Sequence, residues 1–256
     1  MKRVTVFVYG VLCYLAFFGT FLYAVGFIGG FAVPTTLDGK PTMPPLQAVA
    51  IDLGLLALFA VQHSVMARPW FKRMWTRIVP EPAERSTYVL FSSLALILMF
   101  ACWQPIGGVL WSVSSATGKA IVMDLFAFGF ALVFVSTLLI NHFDLFGLRQ
   151  VWLYLRGVPY THPKFATPLL YKVVRHPLYL GWLFAFWSAT TMTAAHLLFA
   201  IMTTAYILMA VRWEERDLLD LHGERYRQYR ESVPMLVPAL TPYTAKDDIQ
   251  VEKASA

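Results

Sequence analysis

Two segments of the chain concentrate groups that can bind charge: Arg175-His176-Pro177-Leu178-Tyr179-Leu180-Gly181 and Glu214-Glu215-Arg216-Asp217. Proline fixes its own φ near the helical value and pushes the residue before it out of helical geometry, so a helix is predicted to start at Pro177. The first backbone N–H groups of that helix point out of its end, beside the positive end of the dipole, and offer a seat for a carboxylate or phosphate. Arg175 adds a guanidinium fork suited to an anion. Gly181, one turn in, removes a side chain and lets a flat ligand lie against the helix, with His176 and Tyr179 beside it. Glu214 and Glu215 supply the opposite charge, suited to an amino group or to ribose hydroxyls. The plainer alternatives are a membrane-surface anchor for the basic segment and ordinary solvated charge for the acidic one.

Imidazole is the side chain that takes up a proton near neutral pH, which singles out His63 and His142. Each has a structural alternative: His63 as a histidine bonded to a neighbouring helix, and His142, between Asn141 and Asp144, as a cap. Arg149 is a cation able to lower the pKa of a nearby acid. Gln150, Trp152 and Tyr171 can wall a nucleobase pocket, although Tyr and Trp also gather at membrane interfaces. His196, near the outer end of the hairpin, reads as structural, and His162, between Thr161 and Pro163, as a loop residue. Cys13 and Cys102 lie inside apolar runs, so neither a disulfide framework nor a metal site is expected.

The elements that must position these groups are membrane helices. Only 14% of the 256 residues are charged, against about 25% in a soluble domain. The apolar residues come in long runs: Val4 to Gly30 and Ser86 to Pro105 carry no charge, Leu46 to Met66 carries only Asp52, and Ala120 to Ile140 only Asp124. Each is long enough to cross a hydrocarbon layer. Pro177 to Val211 also lacks Asp, Glu, Lys and Arg, yet as one helix it would be about 52 Å long against a core of ~30 Å. Folding it at Thr190-Thr191-Met192-Thr193 gives a hairpin of two short helices, and returns Glu215 to the level of His176. The prediction is an all-α polytopic transmembrane bundle of five to six spans, with a C-terminal helical hairpin and a cytoplasmic helical extension. It forms one domain over residues 1–238, whose cofactor-binding part is about 142–238, followed by a flexible tail over 239–256. All of the 21 Lys and Arg residues except Lys40 and Lys119 fall on one face. That asymmetry predicts a bacterial inner-membrane protein with both termini cytoplasmic, and it accounts for the +6 net charge without a nucleic-acid partner.

A carboxylate seat facing a pair of carboxylates suits a zwitterion carrying a positive charge, and S-adenosylmethionine has that form. NADPH would use the basic half and leave the acidic pair without a role. The Arg-His-Pro-x-Tyr-x-Gly motif, the hairpin, Glu214-Glu215 and Gly223, Tyr226 and Tyr229 resemble the membrane methyltransferases that include isoprenylcysteine carboxyl methyltransferase and phospholipid methyltransferases. Beyond that last third of the chain, three further segments are similar to the bacterial methanethiol S-methyltransferases. They are Gln62-His63-Ser64-Val65-Met66-Ala67-Arg68, Glu84-Arg85-Ser86-Thr87-Tyr88 and Asn141-His142-Phe143-Asp144-Leu145-Phe146-Gly147-Leu148-Arg149-Gln150. The resemblance implies methylation of methanethiol to dimethyl sulfide at the expense of S-adenosylmethionine, with a small volatile thiol and the lipid bilayer as partners. The nucleophile in such a reaction is the thiolate. His63 or His142 would take its proton, and Arg149 or the sulfonium would lower the thiol pKa. The alternatives are methyl transfer to a larger amphiphile, an isoprenylcysteine carboxylate or a phospholipid, and an NADPH-dependent membrane reductase. Outside enzymes, a haem protein would need histidines facing one another within the bundle, and a permease would need broken helices or repeats at mid-bilayer; neither is legible here.

Overall fold

A computed structural model of the chain describes residues 2–163 and 165–244. In chain order the elements are α1 (Lys2–Gly29), α2 (Pro45–Ala67), α3 (Pro69–Trp75), α4 (Glu84–Cys102), β1 (Val109–Ser112), α5 (Ala116–Ile140), α6 (His142–Leu145), α7 (Leu148–Arg156), α8 (Pro177–Trp187), β2 (Thr191–Thr193), α9 (Ala194–His222) and α10 (Glu224–Ser232). Among the described residues α1, α2, α4 with the turn before it, α5 and α9 are long and apolar enough to cross a membrane. The protein is an integral membrane helical bundle. Prolines open α2, α3 and α8 at their first positions, where a missing N–H costs nothing. Ser115 caps α5 by accepting the Gly118 N–H at 3.0 Å, and Asn141, at φ 101°, closes α5 and opens α6.

The hairpin is less symmetrical than its sequence predicts. Helix α8 has 11 residues, about 16 Å of rise, while α9 has 29. The missing depth is made up by a non-helical stretch that ends in β2. Strand β2 pairs antiparallel with β1, Val109 opposite Thr193 and Ser112 opposite Thr191, so the bundle carries a small sheet that the all-α prediction lacked. Backbone polar groups at this level need partners, and they have them: Val113 N–H donates to Thr190 O at 2.8 Å and Ala194 N–H to Gly108 O at 2.9 Å. Thr193 then caps α9, its hydroxyl accepting the His196 N–H at 3.1 Å and donating to Asp38 Oδ1 at 2.6 Å. His196 is buried with Nδ1 2.9 Å from Asp38 Oδ2 and Nε2 3.0 Å from the Phe186 carbonyl; it ties the α1–α2 loop to the hairpin.

Helix α8 leans on α5 through glycine. A Cβ added at Gly181 would lie 2.7 Å from Gly129 O and 2.8 Å from Val133 N, and one at Gly129 would lie 2.6 Å from Ala185 N. The two backbones therefore touch, as small residues allow in membrane helices. Gly181 serves this contact, not the ligand face expected of it. At the other end of α8 the chain that follows α10 returns alongside the segment leading into the helix. Arg175 N–H donates to Pro234 O at 2.9 Å, His176 N–H to Met235 O at 3.2 Å, Ala239 N–H to Val173 O and Tyr243 N–H to Lys172 O, both at 2.8 Å. Residues 239–244, read from sequence as the start of a flexible tail, are thus pinned; residues 245–256 of that tail lie outside the described residues.

Candidate active site

Between the helices runs a cavity of about 750 Å³, within the range of small-molecule sites. Its basic end is walled by the start of α8, the exposed turns of α9, α10 and the loop before α8; its other end reaches the aromatic core. The two charged segments meet at the basic end. Arg175 Nε donates to Glu215 Oε1 at 2.8 Å, and His176 Nε2 lies 3.1 Å from the same oxygen. Arg175 Nη1 donates to the carbonyls of Arg230, at 2.7 Å, and Val233. Arg175 thus fastens α8 to α9 and α10, and only its Nη2 makes no hydrogen bond among the described residues. Glu215 sits behind the wall, whereas Glu214 lines the cavity and accepts from the Tyr179 hydroxyl at 2.9 Å.

The backbone seat at the α8 start is narrower than its sequence implies. The Arg175 and His176 N–H groups are taken by Pro234 and Met235, Pro177 has none, and the N–H groups of Leu178 and Tyr179 remain, as at any helix start. Tyr171 and Tyr229 complete this end, Tyr229 donating to the Tyr171 carbonyl at 2.6 Å. Tyr226 lines the cavity too, 1% exposed, with a buried hydroxyl that has no partner among the described residues. Burial first, and then the Glu215 carboxylate, push its pKa well up. Tyr226 is therefore a neutral hydroxyl buried in the wall. Phe165 packs over the same corner, 5.1 Å from the His222 ring and 5.6 Å from Tyr229.

One tier deeper stand the histidines. His63 is half-buried on the cavity wall, its Nε2 2.8 Å from the Tyr88 hydroxyl and its Nδ1 3.1 Å from Ser92 Oγ. Both partners are hydroxyls, which donate or accept, so the ring can gain or lose a proton without orphaning either. His142 also touches the cavity, but its Nδ1 lies 2.8 Å from Thr137 Oγ1 and its Nε2 2.8 Å from the Tyr14 hydroxyl. Burial holds its pKa below the ordinary imidazole value. Arg149 and Gln150 are not in this tier. Arg149 pairs with Asp144 at 2.8 Å and with Thr161 O at 2.8 Å, Gln150 Nε2 donates to the Asp144 carbonyl at 3.0 Å, and neither lines the cavity.

Besides Arg175, the cations Arg68 and Arg85 line the cavity among the described residues. Arg85 stacks 5.2 Å over the Tyr88 ring with Nε on the Leu145 carbonyl at 2.8 Å. Arg68 pairs with Asp217 at 3.2 Å, and its Nε is buried without a partner among the described residues. In the sequence both counted only toward the basic face, although each stands in a segment that carries the resemblance: Gln62 to Arg68 and Glu84 to Tyr88.

No family model matches the chain, and no solved structure matches it significantly. Curated relatives do. Methanethiol S-methyltransferase of Crocosphaera subtropica is 56% identical over 238 residues, 93% of this chain and 93% of that one. Methanethiol S-methyltransferase of Mycobacterium tuberculosis is 52% identical over 238 residues, 93% of this chain and 98% of that one. Nurim of Xenopus laevis is 30% identical over 239 residues, 85% of this chain and 84% of its own. Matches of this depth run through α2, α4 and the hairpin alike, so every wall of the cavity falls within them, and the chain belongs to the methanethiol S-methyltransferase family of integral membrane enzymes.

Proposed function

We propose that this protein transfers a methyl group from S-adenosylmethionine to methanethiol, giving dimethyl sulfide, at the cytoplasmic face of a bacterial inner membrane with both termini in the cytoplasm. The observation that carries the reading is the cavity itself: one end offers Glu214, Arg175 Nη2 and two helix-start N–H groups, and it opens directly onto the His63 tier. Those groups fit a zwitterionic nucleoside. The N–H pair with Arg175 suits its carboxylate, and Glu214 suits its amino group or ribose. Tyr171 and Phe165 offer faces for a base. When bound there, S-adenosylmethionine supplies an electrophilic methyl carbon on a sulfonium.

The chain's own residues then have three tasks. His63 takes the thiol proton, with the Tyr88 and Ser92 hydroxyls holding its ring. Arg85, rather than Arg149, is the guanidinium placed to favour the thiolate by opposite charge. The aromatic walls keep water from the site, which strengthens these charge effects. His176 and Glu215 are positioning residues, since with Arg175 Nε they lock the α8 start against α9.

Headspace detection of dimethyl sulfide from purified protein, S-adenosylmethionine and methanethiol tests the reading, and no turnover would overturn it. By calorimetry Glu214→Gln is expected to weaken S-adenosylmethionine binding at least tenfold. Unchanged affinity would remove Glu214 from the donor site.

A further inference from the structure

The cavity is far larger than its small substrate needs beside a nucleoside. Beyond the His63–Tyr88 tier it continues as a shaft walled by Ala24, Ile28, Leu56, Met99, Phe100 and Phe199, contributed by α1, α2, α4 and α9. Its depth follows from the helices that line it: Tyr88 to Phe100 on α4 is about 18 Å of rise, and Phe17 to Ile28 on α1 about 16 Å. Among the described residues no charged side chain faces this part. Two of the hydroxyls on its wall are spent on their own helices, Ser93 on Val89 O at 2.8 Å and Thr203 on Phe199 O at 2.6 Å. A surface with so little hydrogen-bonding demand suits hydrocarbon and rejects a charged tail.

Building on the thiol methyl transfer proposed above, we infer that the substrate class is linear alkyl thiols, methanethiol being the shortest, with the sulfur at the His63 tier and the alkyl chain in the shaft. At a zigzag rise of roughly 1.3 Å per carbon, from C–C bonds of about 1.5 Å, a six-carbon chain occupies less than half the depth. The chemistry does not change with chain length. The S–H proton passes to His63, and the thiolate sulfur forms a bond to the donor's methyl carbon. That carbon's bond to the sulfonium breaks, its electron pair staying on the departing thioether sulfur. Thiols with a charged tail, such as mercaptoacetate, are excluded because a carboxylate in the shaft would find no partner.

The test is a chain-length series on the purified full-length protein with S-adenosylmethionine, reading methyl thioether products of methanethiol, 1-butanethiol, 1-hexanethiol and mercaptoacetate against free aqueous thiol. The expected result is a kcat/KM for hexanethiol within tenfold of methanethiol or above it, with no product from mercaptoacetate. Leu56→Trp is expected to lower the hexanethiol to methanethiol ratio at least tenfold. Methanethiol turnover with a more than tenfold loss at hexanethiol overturns the inference and leaves the proposed function standing, the shaft then holding only a lipid tail. Product from mercaptoacetate, or an unchanged ratio in Leu56→Trp, overturns the placement of the chain. Turnover of hexanethiol without methanethiol upholds the shaft and replaces the small substrate, and turnover of no thiol overturns both readings.

Discussion

Hydrogen-bond accounting fixes the tautomer of His142, which the sequence could not do. Thr137 has one hydroxyl proton, and it goes to the Phe134 carbonyl at 2.7 Å. Its oxygen therefore accepts from His142 Nδ1–H, which leaves Nε2 to accept from Tyr14. Nδ1 keeps its proton in the neutral ring, and a second proton on Nε2 requires the Tyr14 hydroxyl to turn from donor to acceptor. Since burial lowers the folded-state pKa, the stabilisation this group gives is fully present above the unfolded value of about 6.5 and is lost as pH falls through the folded value. The unfolding temperature in detergent should thus drop between pH 7.5 and 5, and His142→Gln should flatten that slope. Equal slopes in the two proteins would show that His142 carries no such linkage. Arg149 misled the sequence reading for a related reason. Its partner Asp144, five residues earlier, was in plain view, yet only the fold shows that Thr161 and Tyr160 complete its surroundings.

At the scale of elements, the hairpin was legible and its inequality was not. A charge-free run too long for one span had to double back, and that alone put His176 beside Glu215. The same Thr-Thr-Met-Thr that reads as a turn forms β2, because β-branched threonines accept an extended backbone and a partner strand about 80 residues earlier supplies the ladder. No local periodicity reveals such a partner. Gly181 was noticed for the right property, the absence of a side chain, and given the wrong neighbour. Its contact with Gly129 predicts that Gly181→Val, forced against Gly129 O and the Val133 backbone, loosens α8 from α5 and lowers stability by about 1–3 kcal/mol, as overpacking does. Gly19→Ala, which would meet nothing within 4 Å, should hold stability or raise it by up to about 1 kcal/mol. Thermal unfolding of both variants checks the pair, and an unaffected Gly181→Val would mean that the two helices do not need their close approach.

For the whole molecule, the basic residues and the cavity tell one story. The groups suited to a charged nucleoside all lie at the end that carries nearly every Lys and Arg, while the apolar shaft points toward the end that carries Lys40, Lys119 and the β1–β2 pair. A water-soluble donor and an oily acceptor can then approach from different phases and meet only at the His63 tier. This division requires the basic end to face the cytoplasm, the orientation proposed from the positive-inside rule. In cells of a bacterial host, with Cys13 and Cys102 replaced by Ala, a membrane-impermeant thiol reagent should label Lys119→Cys in intact cells and label Ser232→Cys only after lysis. Residue 119 lies at the exposed start of α5 and residue 232 at the exposed end of α10, so both are within reach of the reagent. The reverse pattern would put the nucleoside end outside, away from any cytoplasmic supply of the methyl donor, and the proposed reaction could not run.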